Sequence, residues 1–166
     1  ARTVVGVLQH HGLEAHLAVR DVPTPVIAHA AQAIPTAGAV MLTASHNPPQ
    51  YCGIKYIPEY AGPATKEITD AIVAGIRPLS EELAAVTAAD GTSFDPEPAY
   101  KAEVLARFDH ERMKKAALKV GYDALHATGR GYTDEMLRTL GCSVTALRTN
   151  VDPLFGGGMP EPAPAY

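Results

Sequence analysis

Thr43-Ala44-Ser45-His46-Asn47-Pro48-Pro49 follows the apolar run Ala39-Val40-Met41-Leu42. A short apolar run bounded by turn formers reads as a buried strand, which puts Ser45 at a strand's carboxyl end, where open α/β sheets place their ligands. Pro48 and Pro49 have a fixed φ and no backbone donor, so the chain must leave as a stiff, extended loop that cannot carry the strand onward. Ser45 is therefore expected to be held out of the packed interior, at an address suited to an active site.

Working outward, Val4, Val7, Leu8 and His11 fall on one helical face, and Gly12 is a natural stop. Leu13, Ala15, Leu17 and Val19 alternate with Glu14, His16 and Ala18, the period of a strand with one face buried, and Arg20 and Asp21 sit just past its end. Thr24 is a candidate helix cap with Pro25 at the first position, and Ile27, Ala30, Ala31 and Ile34 supply an apolar stripe. Strand, helix, strand in this order predicts an α/β fold with a parallel crossover pair. After the serine loop, Gly53 to Ile57 is expected as a short strand ended by Pro58, and Gly62-Pro63 as the opening of a helix with Ile68, Ala71, Ile72 and Ile76 inward. From Arg77-Pro78 to Pro98 the chain gathers acidic residues, alanines and prolines, which reads as a linker holding one short helix, with a domain boundary near residue 93. Beyond it, a helix over 100–107, a strand at Leu118, Val120 and Tyr122, a helix with Tyr132, Met136, Leu137 and Leu140 inward that stops at Gly141, and a strand from Ser143 to Leu147 complete the pattern.

Thr43 to Pro49, with Gly53-Ile54-Lys55 placing a lysine ten residues past the serine, closely resembles the phosphoserine loop of the α-D-phosphohexomutases, the phosphoglucomutase and phosphomannomutase enzymes. The resemblance extends to Val22-Pro23-Thr24-Pro25-Val26 upstream, to the 56–65 stretch downstream, and to Asp152-Pro153-Leu154-Phe155-Gly156-Gly157. It implies three-layer α/β/α units with mostly parallel sheets in two incomplete domains, residues 1–92 being the carboxyl-terminal part of domain 1 and 93–166 the amino-terminal part of domain 2. The first residue, Ala1, is not a starting methionine and the Gly- and Pro-rich end reads as a connection, so the chain is expected to be a piece of a longer protein.

The resemblance also implies a chemistry. A phosphoserine at Ser45 would donate its phosphoryl group to a sugar hydroxyl through a loose, charge-rich transition state. Carrying about −1.5 to −2 charges at pH 7, it needs cations and donors around it. Lys55 supplies a point charge that can stabilise the phosphate or move a proton to or from the sugar oxygen, His46 can share that proton work through its imidazole, and Asn47 is an orienting hydrogen-bond partner for substrate. For an isolated Ser-His-Asn-Pro a capping serine in a turn would be the default; the spacing to Lys55 and the matching flanks favour catalysis. The family's magnesium ion touches the serine phosphate and three aspartates in an Asp-rich loop, and this sequence contains no Asp-x-Asp-x-Asp, so Ser45 through its phosphate is the metal contact expected here. Asp123, Asp134 and Asp152 read as strand-end, helix-surface and turn residues. Cys52 stands where relatives usually carry Asn, and His126, in a segment resembling Asp-Pro-Leu-His-Gly, reads as structural. His10, His11, His16, His29 and His110 show no metal spacing.

The implied activity is interconversion of hexose 1-phosphate and hexose 6-phosphate through a hexose 1,6-bisphosphate, glucose phosphate being the favoured substrate, with this piece inactive alone. Two other readings compete: a non-catalytic sugar-phosphate-binding or regulatory fragment, and a metal-dependent serine phosphatase. Composition sets bounds on all three. The chain has 166 residues, 46% of them hydrophobic, ordinary for a globular protein. A net charge of −4 argues against nucleic-acid and anionic-membrane partners. No run approaches the roughly 18 apolar residues of a membrane span, and no signal peptide is visible, so a cytoplasmic location is expected. Cys52 and Cys142 form neither a metal motif nor a disulfide framework and are expected as free thiols.

Overall fold

In the computed structural model, which describes residues 1–163, helix α1 spans Arg2–His10 and ends where Gly12 adopts φ +73°. Its buried residues are Val5 and Gly6, one step round from the expected face. The reason is a close approach: a Cβ on Gly6 would lie 2.2 Å from the Thr87 carbonyl oxygen, so the helix seats its glycine directly on the returning chain. Strand β1, His16–Ala18, is shorter than its alternation suggested, and Leu13 and Val19, outside it, are exposed.

Helix α2, Thr24–Ala33, starts from an extended Pro23 and not from a Thr24 cap; Thr24 makes no capping bond. Its most buried residue is Val26, fully enclosed, with Ala30 and Ala31, whereas Ile27 and Ile34 are half-buried. Val26 turns inward because it meets Val22 and Tyr132, a residue more than a hundred positions away that periodicity could not anticipate. Enclosing such a side chain contributes about 1.5 to 3 kcal/mol.

Strands β2, Gly38–Leu42, and β3, Ile54–Pro58, pair antiparallel, with Met41 opposite Lys55 and Leu42 opposite Ile54. The parallel crossover expected between the first two strands is absent: β1 instead pairs parallel with β4, Thr92–Phe94, a strand the sequence did not signal. Gly91 permits this, since a Cβ there would lie 2.4 Å from the Ala15 carbonyl oxygen. β4 straddles the position expected as the domain boundary.

Helix α3, Lys66–Gly75, opens one turn later than Gly62-Pro63 implied, capped by the Thr65 hydroxyl, which accepts from the Ile68 amide. The stripe expected inward is not covered, and Ile72 and Ile76 are exposed. A short helix, α4, Glu81–Ala84, lies in the linker as expected and is capped by Ser80, whose hydroxyl accepts from the Leu83 amide.

Helix α5, Glu97–Leu105, is followed by α6, His110–Ala116, a helix not among those expected, which Asp109 caps by accepting from the Arg112 amide. Strands β5, Lys119–Asp123, and β6, Ser143–Leu147, form a parallel pair joined by α7, Thr133–Thr139, which ends before Gly141 at φ +87°. This is the βαβ unit the periodicity predicted. Asp134, read as a helix-surface residue, is buried: Arg138 one turn on donates to its Oδ2 at 2.8 Å, while its Oδ1 is buried without a hydrogen-bond partner among the described residues. The α/β class holds, with two of the three ladders parallel. Cys52 is exposed and Cys142 buried, both free. Among the described residues no helix is long and apolar enough to cross a membrane.

Candidate active site

The β2–β3 ladder closes with the Thr43 amide donating to the Gly53 carbonyl at 2.9 Å, and residues 44–52 project beyond it. Local bonds shape this projection. The Ser45 amide donates to Thr43 Oγ1 at 3.0 Å, and the Ala44 carbonyl accepts both the Asn47 amide at 3.1 Å and Asn47 Nδ2 at 2.7 Å. The Tyr51 amide then donates to the Pro48 carbonyl at 3.0 Å. Thr43 and Asn47 thus hold Ser45 at φ +60°, a left-handed conformation that costs a non-glycine residue about 1 to 2 kcal/mol. Its side chain stays outside the turn. Ser45 Oγ lies 3.3 Å from His46 Nδ1, while His46 Nε2 lies 3.4 Å from a carboxylate oxygen of Glu161.

Ser45 opens onto a cleft of about 360 Å³. One wall is Asp21, 43–45, 47–49 and Tyr51; the other comes from 126–128, Arg130, 151–153, Phe155 and Pro160. That second wall grows from the ends of β5 and β6. The Asp123 carboxylate accepts from Arg148 Nε at 2.8 Å and from the Leu125 amide at 3.0 Å, and the hydrogen bond from Arg148 holds the Asp123 carboxyl below its ordinary range. The His126 amide donates to the Arg148 carbonyl at 2.8 Å, and His126 Nδ1 lies 3.3 Å from the Asn150 carbonyl oxygen. Asp152 closes the wall by accepting from the Leu154 and Gly156 amides at 2.9 and 3.0 Å, the turn role its sequence context suggested.

Of the four residues singled out from the sequence, Ser45, His46 and Asn47 lie together in the projecting turn, Ser45 and Asn47 lining the cleft. Lys55 does not line it. It stands exposed on β3 opposite Met41, with no hydrogen bond or ion pair among the described residues. Asp21, His126, Arg130 and Glu161 belong to the site but were not picked out as such. Asp21 at a strand's carboxyl end carried a usable signal; Arg130 and Glu161 carried none, since only the return of the second half brings them there. Among the described residues no group of three or more His, Cys, Asp or Glu side chains could hold a metal ion. The donors present therefore do not make a magnesium site by themselves.

Residues 1–83 match the family profile described as phosphoglucomutase/phosphomannomutase, alpha/beta/alpha domain I, and residues 98–166 match its alpha/beta/alpha domain II. A phosphoglucosamine/phosphogalactosamine mutase of Sulfurisphaera tokodaii is 32% identical over 144 residues, covering 84% of this chain and 31% of its own length. A cytoplasmic phosphoglucomutase of Populus tremula is 33% identical over 156 residues, covering 78% of this chain and 27% of its own. A crystal structure of a protein described as a phosphomannomutase from Thermus thermophilus superposes with a TM-score of 0.89 at 34% identity, covering 99% of this chain and 37% of that one. The chain thus spans about a third of the length of these relatives, and over that span it belongs to the phosphoglucomutase/phosphomannomutase family of α-D-phosphohexomutases.

Proposed function

We propose that this chain is the serine-bearing portion of an intramolecular phosphotransferase that interconverts hexose 1-phosphate and hexose 6-phosphate. The observation that carries this reading is Ser45, held in a left-handed turn by Thr43 and Asn47 with its hydroxyl at the mouth of a cleft built by both halves. A serine so placed can carry a phosphoryl group. The Ser45–phosphate bond breaks as the phosphoryl passes to a sugar hydroxyl, giving a hexose bisphosphate; the sugar's other phosphoryl then returns to Ser45. His46, in contact with Ser45 Oγ, is suited to hold the proton exchanged in each transfer. Lys55, on β3, is the cation proposed to meet the phosphate. Asn47 uses its amide to shape that turn and keeps its carbonyl oxygen for substrate.

Magnesium would meet this chain only through the Ser45 phosphate. A hexose phosphate and its 1,6-bisphosphate are the proposed ligands, glucose phosphate first, in a cytoplasmic setting that the name of the Populus relative supports. The first domain is taken to run over 1–92 and the second from 93. Intact mass of the full-length protein should show the mass of one phosphate mapping to Ser45. Ser45→Ala should lower mutase turnover by orders of magnitude and leave the melting temperature within a degree or two, because an exposed hydroxyl contributes little to stability. Turnover within a few fold of the parent would sink the assignment, and phosphate released to water without isomerisation would convert it to a phosphatase.

A further inference from the structure

Three consecutive residues just past β1, Arg20 to Val22, each reach into the second half. Arg20 pairs with Glu97 on α5 and lies with its guanidinium 5.0 Å from the centre of the Tyr132 ring. Val22 packs with Tyr132 in the shared core. Asp21, between them, faces the cleft, and both its carboxylate oxygens accept from Arg130 Nη2 at 2.6 Å. Arg130 sends its other nitrogen, Nη1, to the Ala127 carbonyl at 2.9 Å, so one guanidinium ties Asp21 to the loop that makes the wall opposite Ser45. The Arg130 side chain is only 11% exposed whereas that of Asp21 is 51% exposed. A guanidinium covered to that extent needs its counter-charge, and the planar fork fixes direction as well as distance.

We infer that Asp21 is a positioning residue: through Arg130 it holds the 126–130 wall at a set distance from Ser45, a role that rests on the mutase reading for its effect on turnover. The labour is divided among neighbours. Arg20 with Glu97 and Val22 with Tyr132 join the halves outside the cleft lining, so they keep the fold when Asp21 is altered. The Asp21–Arg130 bond is the described ion pair with both partners lining the cleft, and what it controls is width. Phosphoryl transfer depends on placement to within fractions of an ångström, and a displacement of about 1 Å can cost on the order of 100-fold in rate.

In the full-length protein, Asp21→Asn should raise amide exchange at Ala127 and Arg130 at least tenfold, since their bonds to Ala124 and Ala127 span the wall, while Met136 in α7 exchanges as in the parent. Its kcat should fall about 10- to 100-fold with KM moving much less. Asp21→Glu, which keeps the charge on a longer stem, should recover part of the loss. Unchanged exchange at Ala127 and Arg130, or exchange raised equally at Met136, would overturn the inference, as would parental kcat beside a loosened wall. A parent that does not isomerise hexose phosphates at all would overturn the function proposed above, and the exchange measurement would still decide the clasp.

Discussion

The two walls of the cleft are built by different means. On the serine side, residues 43–53 are held by backbone bonds and by two neutral side chains, Thr43 and Asn47, acting within a few positions of themselves. On the far side, charged side chains do much of the holding: Arg148 to Asp123 and Arg130 to Asp21 across long spans, and Asp152 within its own turn. A phosphoserine at Ser45, as proposed, would bring close to two negative charges to a turn whose own hydrogen bonds are between neutral groups, the His46–Glu161 contact being the charged one beside it. The far wall uses charge for rigidity.

Lys55 tests the serine side most severely, because it is the one cation of the expected constellation that stands apart from the cleft. If it reaches the phosphate during turnover, Lys55→Met in the full-length enzyme should cost on the order of 2.7 to 4 kcal/mol of transition-state stabilisation, read mainly in kcat. Parental turnover would remove Lys55 from the machinery and leave His46 as the side chain nearest Ser45 Oγ in that role.

Glycines on each wall allow a direct comparison of stiffness. A Cβ on Gly53 would meet the Thr43 carbonyl oxygen at 2.7 Å, backbone against backbone, so Gly53→Ala should cost about 1 to 3 kcal/mol in urea unfolding. On the other wall Gly156 sits at φ +67°, where a Cβ would lie 3.1 Å from the edge of the His126 ring, and that ring can shift. Gly156→Ala should cost about 1 to 2 kcal/mol, the penalty of a left-handed alanine. The reverse ranking would contradict the view that the serine wall is the one fixed by backbone.

The smallest effect concerns pH and the junction behind the far wall. Burial raises the Glu97 carboxyl, but hydrogen bonds from Lys101 and Arg20 outweigh it, and the group is held below its ordinary range. A carboxyl lowered by folding stabilises the fold above its unfolded value, about 4.3, and loses that contribution as pH falls through the lower folded value. Unfolding free energies of the parent and Glu97→Gln should therefore converge as pH drops from 6 to 3. A gap that stays constant over that range would show that the junction is held by packing around Tyr132 and not by charge.

Local patterns were legible wherever short-range physics decided the outcome. The turn around Ser45, the stop at Gly12 and the helix in the linker all follow from residues within a few positions of one another. The stripe of α3 was legible too, yet it lies exposed, since amphipathicity says which face could be buried and not whether anything covers it. Strand β4 escaped notice because Thr92–Phe94 has almost no pattern; its partner at β1 creates it.

Sequence alone determined the family and the strand end that presents Ser45, because those rest on a contiguous motif with fixed φ restrictions and a fixed spacing. Tertiary structure decided what the serine faces. Asp21, His126, Arg130 and Glu161 become one site only when β5 and β6 return beside the first half, and the pairing of Arg130 with Asp21 bridges over a hundred residues. No local propensity encodes such a contact; it follows from burial of Val22, Val26 and Tyr132 in a common core, which brings the two charged groups within reach of each other.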